Sequence, residues 1–104
     1  MDRIGKLQEF LKDNPSDAFV QHALALEYIK LGNDAAAKQL FKDILQREPG
    51  YIGSYYHLGK LLEREEDFEE AILIYETGMA EAKNVNDRHA YNELQMAKEE
   101  IEMG

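Results

Sequence analysis

The sequence is poor in several things, and each shortage removes a class of function. It has no cysteine, which excludes disulfides, thiolate metal ligands and a thiol nucleophile. Proline occurs only at Pro15 and Pro49. Valine and threonine are scarce, and no strand-like alternation of apolar and polar residues persists. No apolar run approaches the roughly 20 residues of a membrane span. The opening residues MDRIGKLQEF hold neither a signal-peptide apolar core nor a small-residue cleavage site. A cytoplasmic location is the resulting expectation. Basic residues are also outnumbered: 12 Lys and Arg face 21 Asp and Glu, a net charge of −9 at pH 7. Neither nucleic acid nor an anionic membrane is an expected partner for such a surface. The imbalance is uneven, with 7 basic and 8 acidic residues over 1–52 but 5 and 13 over 53–104.

What is present is helical. In the 104 residues, a single domain by length, apolar spacing predicts six helices near 2–13, 17–31, 34–47, 52–65, 68–82 and 87–102. Ile4, Leu7, Phe10 and Leu11 share one face of the first. Ser16 or Asp17 suits the N-cap of the second and Gly32 its stop. Asp67, with Glu70 three residues on, suits the start of the fifth.

The two prolines stand 34 residues apart, and the chain overlays on itself at that offset. Leu24 falls on Leu58, Ala25 on Gly59, Tyr28 on Leu62, Ala37 on Ala71, Phe41 on Tyr75 and Ile44 on Gly78. Upstream, Leu7 falls on Phe41, Phe10 on Ile44 and Leu11 on Leu45. Few of these pairs are identical; residue size is what recurs. Small residues admit a neighbouring backbone and large ones fill the gap, which is what a stacked helix-turn-helix unit needs.

The pattern resembles the tetratricopeptide repeat, a 34-residue unit with a large residue, then Leu–Gly/Ala, then Tyr, and later Ala, an aromatic and Pro. Residues 18–51 form a first repeat through Leu24, Ala25, Tyr28, Gly32, Ala37, Phe41 and Pro49. Residues 52–85 form a second through Tyr55, Leu58, Gly59, Leu62, Ala71, Tyr75 and Gly78. Gln21, Ile44 and Lys83 depart from the pattern. Residues 1–16 match the second half of a repeat. Over 86–104 the same offset sets Asn92 and Glu93 at core positions, so this helix, apolar at Tyr91, Leu94, Ala97 and Ile101, reads as a cap. The resemblance implies an all-α, right-handed superhelix of helix-turn-helix repeats.

No arrangement for catalysis emerges. Ser16 suits a cap, Ser54 and Thr77 lie within helices, and none has an evident histidine–carboxylate partner. His22, His57 and His89 fall on different helices, so no metal pair is spaced along one turn, and surface or groove histidines explain them better. The run EREEDFEEA (63–71) lacks the ligand alternation of a calcium loop and suits a solvated turn before a helix. The glycines form no phosphate-binding fingerprint. The expectation is therefore no enzyme, no metal and no cofactor.

The resemblance further implies a concave groove lined by the first helix of each repeat. Carried onto this sequence, the groove takes Phe19, His22, Leu26 and Lys30 from repeat 1 and Tyr56, His57, Lys60 and Arg64 from repeat 2. Tyr91 and Lys98 of the last helix are further candidates. Lys30, Lys60 and Arg64 among aromatic rings suggest a protein or peptide partner with acidic and apolar side chains. Alternatively, they only offset nearby carboxylates. A clamp for a terminal carboxylate is disfavoured, because Leu26 and His57 stand where that subtype carries asparagines. The function implied is a non-catalytic protein–protein interaction module, an adaptor or scaffold. The alternative is a self-associating subunit, a homodimer formed through an apolar face such as that of the first helix.

Overall fold

In the computed structural model, residues 2–104 are described, and their regular structure is helical: α1 (Arg3–Asp13), α2 (Ala18–Lys30), α3 (Asp34–Arg47), α4 (Gly53–Arg64), α5 (Phe68–Asn84) and α6 (Arg88–Met103). Each boundary lies within two residues of its expected place. The caps explain most of them. Asp2, Asp17, Asn33, Asp67 and Asp87 each accept a hydrogen bond from the backbone N–H three residues on, satisfying a donor that the first turn would leave unpaired. Between Ser16 and Asp17, the aspartate is the cap of α2.

The chain divides into two compact units, one ending at Glu48 and the other beginning at Pro49. In the first, α2 packs against both α1 and α3; in the second, α5 packs against α4 and α6, and α6 also touches α4. Each unit contains the same reversal between paired helices. Asn33 N–H bonds to Tyr28 C=O and Asp67 N–H to Leu62 C=O, both at 2.8–2.9 Å. The preceding residue takes a left-handed conformation, Gly32 at φ 78° and Glu66 at φ 62°. This is the helix-ending turn that Gly32 signalled. Glu66 fills the same role without glycine's freedom.

A second repeated bond accounts for the odd glutamine. In the first unit, buried Gln21 donates through Nε2 to Pro15 C=O at 3.1 Å. In the second, the Tyr55 hydroxyl donates to Pro49 C=O. The donors and the prolines are each 34 residues apart, so unlike side chains satisfy the same carbonyl. Arg47 completes the first case, donating at 2.6 Å to Gln21 Oε1 and at 3.2 Å to Ser16 C=O.

The interior positions follow the overlay closely. Leu24, Ala25, Ala37, Phe41 and Ile44 are buried in the first unit, and Leu58, Leu62, Ala71 and Tyr75 in the second. Burial of each large side chain contributes roughly 1.5–3 kcal/mol. Gly59 is the point of closest approach: a β-carbon there would lie 2.1 Å from the Tyr75 ring. Tyr28 departs from its counterpart Leu62. It is only half-buried, because its hydroxyl sits at the edge and accepts a 3.0 Å bond from Gln8 of α1. α1 buries none of its residues fully, and Phe10 is 48% exposed.

The apolar face expected of α6 is the one it turns inward, but its register departs from the 34-residue offset. Asn92 and Glu93 are exposed, and Leu94 and Ala97 are buried. Residues 90, 91, 94, 95, 97 and 98 of α6 reproduce the inward positions 54, 55, 58, 59, 61 and 62 of α4 at an offset of 36, not 34. The cause is local. α5 has 17 residues where α3 has 14, and residues 85–87 are all that separate it from α6.

Candidate protein-interaction site

In the first unit, Phe19, His22, Leu26 and Lys30 recur at three- and four-residue spacing and so share one face of α2. Phe19 is 74% exposed, Leu26 is half-buried, and the His22 ring meets the buried Phe41 edge-on at 5.3 Å. Lys30 already has an anion: its ammonium lies 3.1 Å from Glu27, which Arg3 of α1 also reaches at 3.3 Å. These cations, Lys30 first, hold the Glu27 carboxyl below the usual carboxylate range.

In the second unit, α4 presents Tyr56, His57, Lys60 and Arg64. The Lys60 ammonium stands over the Tyr56 ring, 5.5 Å from its centre, a contact worth about 0.5–1 kcal/mol at an exposed site. It also lies 3.5 Å from Glu63. Glu63 in turn accepts the hydroxyl of Tyr75, and burial together with that carboxylate drives the phenol's pKa far upward, so it stays a neutral donor. His57 meets Tyr56 edge-on at 5.7 Å. Burial lowers its pKa, opposed by the nearby charge of Glu93. Arg64 is exposed.

A pocket of about 100 Å³ opens on this face, lined by Tyr56 and Lys60 of α4 and by Glu93, Met96, Ala97 and Glu100 of α6. Here the α6 register has its effect. Neither Tyr91 nor Lys98, the residues expected from α6, lines this pocket. Tyr91 lines a separate hollow of about 270 Å³ at the α5–α6 turn, beside Lys83 and Arg88. Lys98 bonds Glu76 at 3.1 Å and also reaches Glu102 at 3.7 Å. Sequence reasoning missed Glu93, Met96 and Glu100. An offset of 36 from Tyr56–Lys60–Arg64 lands on Asn92, Met96 and Glu100, and the signal was the apolar triad Tyr91, Leu94, Ala97, whose phase disagrees with 34. Among the described residues, no group of three or more His, Asp or Glu side chains could hold a metal ion. No helix among the described residues is long and apolar enough to cross a membrane.

The tetratricopeptide repeat model matches residues 28–97. The chain belongs to the tetratricopeptide repeat family. A crystal structure of a tetratricopeptide repeat domain protein from Salinibacter ruber is 40% identical, with a TM-score of 0.80 over 83% of this chain and 96% of that one. A solution NMR structure of a tetratricopeptide repeat domain protein from the same organism, also 40% identical, gives 0.81 over 85% and 89%. The TPR2B domain of yeast Sti1, in complex with pHsp70, shares the fold at 15% identity, with a TM-score of 0.87 over 96% of this chain and 80% of that one. No curated protein matches. Tetratricopeptide repeats commonly serve protein–protein interaction and are generally non-catalytic. In those repeats' own pattern, Tyr55, Leu58, Gly59 and Leu62 are the inward positions of α4, all buried here, which leaves Tyr56, Lys60 and Arg64 to face outward.

Proposed function

We propose that this chain is a non-catalytic adaptor or scaffold that works in the cytoplasm and holds a peptide or protein segment on the α4–α6 face of its second unit. The observation that carries this reading is the open pocket between Tyr56 and Met96. It offers an aromatic ring and a flexible thioether chain as anchors, ringed by charged groups that fix orientation. The α2 face of the first unit, with Phe19 exposed beside His22, Leu26 and Lys30, is a separate candidate surface.

The test begins with affinity capture from the native host and identification of what co-purifies. The captured partner is then titrated against the parent chain and against Tyr56→Ala and Met96→Ala. Loss of an anchor of this kind weakens binding by more than about 1 kcal/mol, while circular dichroism shows the fold retained. Undiminished binding by both variants refutes the site. Self-association is a second reading, favoured by α1, where Phe10 is half-exposed on a helix with no fully buried residue. Light scattering across concentration decides it: a dimer that Phe10→Ser dissolves supports this reading, and a monomer at every concentration removes it.

A further inference from the structure

The pocket on the α4–α6 face has the wrong charge for an acidic ligand, and we propose that it takes a lysine or arginine side chain of the bound segment. This deepens the interaction reading above and rests on it. Lys60 and Arg64 suggested an acidic partner, but the α6 register sets Glu93 and Glu100 in the same pocket as Lys60. The ammonium of Lys60 is already engaged by Glu63. Glu93 lies 4.0 Å from the exposed His89 and near His57, whose charged form burial disfavours, and no salt bridge engages Glu100 among the described residues. The pocket therefore holds an excess of carboxylate once Lys60 is neutralised.

The walls suit the rest of such a side chain. The Tyr56 ring, the Met96 chain and the Ala97 methyl offer an apolar lining for an aliphatic stem, while carboxylates accept its charged head. A pocket of about 100 Å³ has room for one side chain and not for a helix. The surrounding field agrees: residues 49–104 carry 5 basic and 13 acidic side chains, which speeds the approach of a basic segment and repels an acidic one.

The experiment is selection of short random displayed peptides against the immobilised full chain, repeated with a Glu93→Gln, Glu100→Gln double variant. Both positions are exposed, and matching melts confirm that the variant folds. The expected result is enrichment of peptides sharing a lysine or arginine. These bind the variant about tenfold or more weakly, the loss of roughly one charged contact, and bind the parent more weakly as salt rises. Enriched acidic peptides overturn the proposal and leave the interaction module standing, as do basic peptides that bind parent and variant equally. No enrichment over bare support removes the interaction face itself.

Discussion

Replacing Gly59 with alanine should cost far more than one methyl group suggests. The added carbon would stand 2.1 Å from Cε1 and 2.5 Å from Cζ of Tyr75, whereas carbon atoms in contact rest about 3.5–4.0 Å apart. The ring must therefore withdraw by more than about 1 Å. It has no space to do so, being fully buried, and its hydroxyl is tied to Glu63. Overpacking of this kind costs about 1–3 kcal/mol, and losing a hydrogen bond to a charged acceptor about 1.5–3 kcal/mol. Against this stands the gain of about 0.5–1 kcal/mol from removing a mid-helix glycine. The net expectation is a loss of about 2–4 kcal/mol, which lowers Tm by roughly 10–25 °C for a domain of this size. Urea unfolding followed by far-UV circular dichroism measures it directly. The same substitution made on a Tyr75→Leu background should cost much less, because the obstructing ring is gone, and the double-mutant cycle isolates that coupling. Parent-like stability of Gly59→Ala, within about 0.5 kcal/mol, would refute the packing argument.

Three further perturbations follow from the turns and the histidine. Glu66→Gly should stabilise by about 0.5–1 kcal/mol, relieving a left-handed residue at φ 62° at some cost in chain entropy; a lower denaturation midpoint would contradict this. Arg47→Ala should destabilise by about 1–3 kcal/mol, because it strips buried Gln21 of the donor at its oxygen; Gln21→Leu should blunt that effect, and an unblunted loss would implicate something else. His57 has a folded pKa below its ordinary 6.5, so the unfolded chain takes up its proton first. Stability is then complete above 6.5 and is lost as pH falls through the lower folded value. Thermal melts between neutral pH and about pH 5 should show a shallower decline for His57→Gln than for the parent, and parallel declines would sink the assignment.

The helices and the paired interior were legible because size recurs at a fixed interval and acidic or amide caps mark the starts. Leu58, Gly59 and Tyr75 could be placed from the sequence alone, since each has a counterpart in the preceding repeat. The pocket could not, for a physical reason. Its α6 side depends on helical phase, and phase depends on where α5 ends. An apolar residue such as Ala82 continues a helix as readily as it finishes one, and the left-handed stop falls on Asn86, which gives a weaker signal than glycine. Lys60 was identified as part of the face, but its pairing with Glu63 was not. Three residues along a helix, both side chains can turn toward water or toward each other, and only the packed structure selects between them.

The extra length of α5 bears on any attempt to lengthen the array by grafting. A 34-residue unit spliced in after residue 84 would arrive two positions out of phase with the inward residues of α6. A graft at that end of the second unit therefore needs the helix preceding it retuned by two residues.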